Sequence, residues 1–143
     1  MPVPSETQLQ KAYYQWLVGW PDKHGVPTKP PALLPGVECW HTPNGGQRGA
    51  REGKEFKEIG VVAGVHDLLF LRPTDFGPYG TWGLLFGMEL KKPGGPQPPE
   101  RQLNGAQKLT HPRLMRAGMA ASVVVDNLAD ARAWSAHHGL TVP

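Results

Sequence analysis

Residues 64–71 read GVHDLLFL and residues 81–92 read TWGLLFGMELKK, and the fold turns on these two runs. Each is apolar and short, and Pro73, Gly77, Pro78 and Gly80 stand between them, the pattern of two buried strands joined by a loop. Strands are therefore expected at Val65–Leu71 and Thr81–Leu90. Residues two apart on a strand share a face, so Glu89 and Lys91 project together while Met88 and Leu90 face the other way. With Asp67 near the start of the neighbouring strand, two carboxylates and an ammonium can converge.

Upstream, SETQLQKAYYQWLVGW (Ser5–Trp20) sets Leu9, Tyr13, Trp16, Leu17 and Trp20 at helical spacing, with Ser5 as N-cap and Gln8 completing a capping box. Tyr13, Trp16 and Trp20 are read as core rather than as base-stacking platforms. Residues 21–36 hold too many prolines for a helix or central strand and are read as an irregular connection. Val37–Thr42 has strand propensity and ends in Pro43-Asn44-Gly45-Gly46, and the charged segment QRGAREGKEFKEIG fits an exposed helix stopped by Gly60. Downstream, residues 93–102 form a Pro/Gly loop, Leu103–Ala117 carries a helical pattern with a kink or restart at Pro112, and Gly118 stops it. Ala120–Val125 reads as a short buried strand, and Asp126 or Asn127 caps a last amphipathic helix through His138. This alternation predicts an α/β fold, a sheet with helices on its faces and a hairpin in its middle.

At 143 residues the chain is expected to form a single domain, and no internal repeat is present. Lys and Arg outnumber Asp and Glu by 15 to 12, an excess compatible with a polyanionic partner. The lone Cys39 forbids an intramolecular disulfide, and the scattered histidines form no zinc pattern, so a reducing cytoplasm is the simpler expectation. MPVPSETQLQ lacks the regions of a signal peptide, and no apolar run reaches the length of a membrane span. Phosphate-loop and dinucleotide glycine motifs are absent, which ranks small phosphorylated substrates last.

The convergence of acids and lysine points to phosphodiester hydrolysis. That reaction needs a hard cation such as Mg²⁺ or Mn²⁺, which takes carboxylate and carbonyl oxygens. Asp67 and Glu89 supply the carboxylates, and the Leu90 backbone carbonyl at the strand end is a further oxygen. Lys91 is placed to orient water or stabilise the transition state.

Asp67 followed by Glu89-Leu90-Lys91 resembles the PD-(D/E)XK nuclease superfamily. The surrounding segments narrow the resemblance to the VRR-NUC (virus-type replication-repair nuclease) family: the SETQLQ helix, the HTPNGGQR turn, GVVAGVHDLLFL, MELKKPGG, NGAQKL and RAGMAASVVVDNLADA. They occur in the family's order over most of the chain, with a longer Pro-rich insert at residues 96–99. His66 stands where the family usually has a proline that shapes the strand and is not a ligand. The resemblance implies a restriction-endonuclease-like core, a mixed central sheet flanked by helices, with Asp67 and Glu89 as metal ligands and Lys91 as catalytic lysine. It also implies that Glu6 adds a carboxylate and that Gln107 lies close to the site; read alone, Glu6 is a first-turn acid suited to the helix dipole and Gln107 a surface amide.

Asn44, Gly45 and Gly46 read equally as a plain turn or as a loop whose amides approach phosphate together with Arg48 and Arg51. Lys54 and Lys57 alternate with Glu52, Glu55 and Glu58, so a solvated helix face is the better reading. Packing is favoured for His41 and His66, although either is close enough in sequence to touch phosphate or a metal-bound water. The expected function is thus a metal-dependent endonuclease acting on DNA, with branched DNA such as a four-way junction as the substrate the resemblance implies. Symmetric cutting of a junction requires two sites, hence a homodimer. The alternative is a non-catalytic nucleic-acid-binding module on the same fold, against which the intact Asp67, Glu89 and Lys91 argue. A phage or bacterial repair setting is suggested by the resemblance.

Overall fold

The computed structural model describes residues 2–43 and 50–143, and side chains from residue 53 onward in the second stretch. Its elements run α1 (Glu6–Val18), β1 (Glu38–His41), α2 (Ala50–Glu58), β2 (Leu68–Asp75), β3 (Thr81–Leu90), α3 (Gly105–Arg116), β4 (Ala121–Val125) and α4 (Leu128–His137). The sheet order is β1-β2-β3-β4, with β1–β2 and β2–β3 antiparallel and β3–β4 parallel. This is the mixed, helix-flanked sheet expected from the sequence.

Strand alternation sorts the sheet's two faces. Leu68, Phe70, Phe86, Met88 and Leu90 are buried with Leu9, Tyr13 and Leu17 of α1 and Ala131 of α4 in one core cluster. Trp134 of α4 lies against both Phe70 and Phe86, with ring centroids 6.2 Å apart in each case. Glu89, between Met88 and Leu90, therefore points to the opposite face, where α3 packs. The register Leu68↔Met88, extended by one residue, sets Asp67 opposite Glu89.

Several local expectations hold and several change. Ser5 and Gln8 form the capping box, and α1 ends on Gly19 in the left-handed region at φ 82. Trp20 lies beyond that cap at φ 46, with the Lys29 ammonium over its ring, so it is not part of the core expected for it. The connection at residues 21–36 has no helix or strand but is laid along its neighbours: Ala32 N–H donates to Trp16 O and Leu34 N–H to Leu140 O. β2 runs on through Pro73 to Asp75, four residues past its expected end. Pairing with β1 covers only Leu68–Leu71, so Pro73 sits where one edge of β2 is open and a missing N–H costs no ladder bond.

Pro112 lies inside one continuous α3, so no restart occurs; the helix begins at the Asn104 cap rather than at Leu103. The loop at 93–102 contains a short 3-10 turn at Pro99–Gln102. Asn127, rather than Asp126, caps α4.

Candidate active site

Asp67 does not open β2 as the sequence suggested; it is the bend just before it. Its backbone carbonyl still continues the pairing, accepting from Thr42 N–H at 2.9 Å. Its Oδ2 accepts from the Leu90 backbone N–H, also at 2.9 Å. The N–H and C=O of one strand residue point to the same side, so the Leu90 carbonyl lies on the Asp67 side of β3. The two carboxylates thus meet between β2 and β3.

Glu89 is almost wholly buried, at 1% exposure. Lys91 Nζ stands 3.6 Å from its Oε1 and donates to Gln107 Oε1 at 3.0 Å. Gln107 Nε2 donates to Glu89 Oε1. The same glutamine completes the capping box of α3: its Oε1 accepts from Asn104 N–H, and its own N–H donates to Asn104 Oδ1, both at 2.9 Å. A helix-start motif therefore also fixes the donor that holds Glu89 and the acceptor that holds Lys91.

The electrostatics follow from this crowding. Burial raises the Glu89 carboxyl above the usual range and the Asp67 carboxylate raises it further, against the opposing pull of Lys91. Asp67 is raised by burial, opposed by its bond from Leu90 N–H. Glu6 is raised by burial and then by Asp67, with Lys91 opposing. Glu6 at the start of α1 thus lies in the same electrostatic field as Asp67 and Lys91. It lines, with Asp67, a cleft of about 440 Å³ whose other walls are Thr7, Gln10, Lys11 and Tyr14 of α1 and His41 and Pro43 of β1 and its exit. His41 bridges the two sides: its Nδ1 lies 2.8 Å from Asp67 O and 2.9 Å from Gln10 Nε2.

Three side chains behind Glu89 escaped the sequence reading or were given a duller role. His111 follows Gln107 by one helical turn and places Nε2 3.9 Å from Glu89 Oε2. His66 is fully buried and stacked on His111, with ring centroids 3.7 Å apart and planes at 12°. Its Nε2 is 2.5 Å from Ser122 Oγ of β4. Packing is the role favoured for His66 in the sequence, and packing against a histidine is what it does. The spacing Gln107-x-x-x-His111 was the available signal for His111, and Thr7, Gln10 and Tyr14 at helical spacing were the signal for the cleft wall. Asn44, Gly45, Gly46 and Arg48 lie outside the described residues, as does the side chain of Arg51.

The donor set suits a hard divalent cation. Two juxtaposed carboxylates, a backbone carbonyl on their side and a third acid nearby are all oxygen donors, and Mg²⁺ commonly takes one or two carboxylates and completes its shell with water and phosphate. Among the described residues no three or more His, Cys, Asp or Glu side chains cluster tightly enough to enclose an ion by themselves. An open, substrate-completed site is the arrangement these residues fit.

The sequence matches no family model and no curated protein. The mixed four-stranded sheet flanked by helices is consistent with a restriction-endonuclease-like fold class. Within that class, a solved structure described as a VRR_NUC domain protein superposes on 99% of this chain and 98% of its own, with a TM-score of 0.59 and 20% identity. The molecule has the VRR-NUC fold, and at that identity the likeness is one of fold.

Proposed function

We propose that the protein is a Mg²⁺- or Mn²⁺-dependent endodeoxyribonuclease. The observation that carries this reading is the cross-strand pair Asp67 and Glu89, desolvated together beside the Lys91 ammonium that Gln107 anchors. Asp67, Glu89 and the Leu90 carbonyl would hold the cation, with Glu6 as an additional acid. Bound there, a divalent cation neutralises phosphoryl oxygens and lowers the pKa of a water. Lys91, held by Gln107, directs its charge at the pentavalent phosphorus as negative charge develops, an electrostatic contribution made in the transition state.

The cleft along α1 supplies a path for the strand entering the site, with Lys11 and His41 facing phosphates on its way. Asn44, Gly45, Gly46, Arg48 and Arg51 are the further DNA-backbone contacts of this reading. Shape rather than sequence is then read, and a branched substrate such as a four-way junction, cut by a two-fold homodimer, is the finer assignment.

Cleavage of a four-way junction, a fork and a linear duplex, each with Mg²⁺, Mn²⁺ or EDTA, tests it. The expected result is metal-dependent cutting of the branched substrates, lost in Asp67→Ala and Glu89→Ala. Tight binding with no cutting under any metal would overturn it in favour of a binding module, and unchanged cutting in both variants would remove these acids from the site.

A further inference from the structure

The hairpin of β2 and β3 outruns the rest of the sheet. β1 pairs only with residues 68–71 of β2 and β4 only with residues 86–90 of β3, so residues 72–85 form a ribbon of two strands alone. The ribbon carries Phe76, Tyr79 and Trp82, which are 46%, 80% and 61% exposed. With Gly83 and Leu84 they line an apolar cleft of about 550 Å³. The Trp82 indole is held in place, its Nε1–H donating to Tyr79 O at 2.9 Å. At 150–250 Å² per aromatic side chain, these exposures leave roughly 400 Å² of aromatic surface facing solvent, a patch of the size that marks an interaction surface.

The ribbon also has one edge open to pairing. The N–H and C=O of a strand residue point to the same side, and that side alternates along the strand. Leu85 O accepts from Ala120 N–H and Lys91 N–H donates to Val125 O, so the odd-numbered residues of β3 address the β4 side. Thr81 and Gly83 therefore turn their N–H and C=O outward, where β4 does not reach and no hydrogen bond among the described residues takes them up. The other edge is closed: Pro73 has no N–H to offer, and Asp75 adds a charge.

We infer that a second copy of the chain docks on this edge, the two β3 strands running antiparallel about a two-fold axis at Trp82. In that register Thr81 of each copy faces Gly83 of the other, and every outward N–H and C=O of both residues finds its partner, so the edge is its own complement. Trp82 meets Trp82 of the other copy as a close cross-strand pair, Cα atoms about 4.5 Å apart, beside Phe76 and Tyr79 of each chain. DNA is a poor occupant: no charged residue lines the cleft, and Asp75 beside it repels phosphate. A foreign strand gains little, because β4 and the Gly77–Tyr79 turn leave only residues 81–83 free to pair, whereas a copy brings its own aromatic cleft. The aromatic patch alone supplies about half of the ~800 Å² that each partner of a standard interface buries. The inference locates the interface of the homodimer in the proposed function and rests on that reading.

Two measurements test it. Sedimentation equilibrium of the DNA-free protein should show a concentration-dependent dimer, weakened at least about 30-fold in Trp82→Arg. Trp82→Cys should link two chains on mild oxidation, because Cα atoms about 4.5 Å apart can be bridged by a disulfide and the native Cys39 is buried. Leu109→Cys, on an exposed position of α3, should stay unlinked. A Trp82→Arg dimer as strong as wild type, or Trp82→Cys linking no faster than Leu109→Cys, would place the interface elsewhere and overturn the inference while the homodimer stands. A wild-type chain that stays monomeric when free would overturn the interface, and one that is also single on a four-way junction would overturn the homodimer of the proposed function with it.

Discussion

Asp67 stands opposite Glu89, whose Oε1 lies 3.6 Å from Lys91 Nζ, and single substitutions would separate the roles proposed for the three. Asp67→Ala and Glu89→Ala should each abolish cleavage while DNA affinity stays equal or rises, because each would remove a proposed cation ligand and also a charge that repels phosphate. Filter binding beside cleavage assays measures both; a variant that cuts with wild-type metal dependence would exclude its acid. Lys91→Ala should lower the single-turnover rate roughly a hundredfold or more, the effect of removing one electrostatic stabiliser, with little change in metal affinity. Lys91→Arg should rescue poorly, since a planar guanidinium cannot take the place of a compact ammonium between Glu89 and Gln107. His66 supplies a pH effect. Burial, then the neighbouring His111, lowers it from 6.5 to about 3. Below pH 6.5 the unfolded chain takes up a proton that the folded chain refuses until about pH 3, so stability falls on acidification across that window. One proton corresponds to about 1.4 kcal/mol per pH unit. Melting curves of the metal-free protein should therefore show a shallower acid-side slope in His66→Gln; an unchanged slope would mean that His66 protonates in the folded state.

At the scale of elements, the site depends on how closely the turn before β2 meets α3. Gly64 has φ +83, and a Cβ there would lie 2.4 Å from Ala106 backbone atoms and 2.8 Å from Gln107 N. Thr110 Oγ1 donates to Ala63 O at 2.8 Å and ties the same two segments together. Gly64→Ala should combine a left-handed-region penalty of about 1–2 kcal/mol with overpacking of about 1–3 kcal/mol, and should displace Gln107 from Glu89 and Lys91. Gly118→Ala is the control: φ is +115 but nothing stands within 4 Å, so only the backbone penalty applies and cleavage should persist. Thermal melts with cleavage rates on the folded fraction check the pair, and equal loss of activity in both would detach the site from this contact. The strand exit at Glu89–Lys91 was legible in the sequence because strand period alone fixes which residues share a face. His66 was not legible: alternation from Leu68 would send it to the α1 and α4 face, but the chain bends at Asp67 and turns it toward α3.

Across the whole molecule, the acids of the site lie beside a cleft with one lysine, while the chain as a whole carries an excess of three positive charges. Under the proposed function, affinity for DNA depends on basic groups beyond the single lysine of the cleft, and Arg48 and Arg51 are the proposed contacts. The logarithm of affinity should fall linearly with the logarithm of salt, each phosphate contact adding about 0.9 to the slope on duplex DNA. Arg48→Ala and Arg51→Ala should each shallow that slope, as fluorescence anisotropy over a salt series would show; a salt-independent affinity would exclude the basic surface. Sedimentation of the protein on a four-way junction should give two chains per junction, and a single bound chain at saturation would remove the homodimer. No helix among the described residues is long and apolar enough to cross a membrane.

By itself the sequence determined the order of elements, the buried hairpin, the facing of Glu89 and Lys91, and the capping box of α1, because each depends on spacings within a few residues along one element. The tertiary structure alone decided that Asp67 stands opposite Glu89, that a helix-capping glutamine 16 residues beyond Lys91 holds its ammonium, and that two histidines 45 residues apart stack behind the carboxylate. Those contacts depend on strand register and on the angle at which α3 meets the sheet. Both are set by the packing of the whole core, which no local pattern encodes.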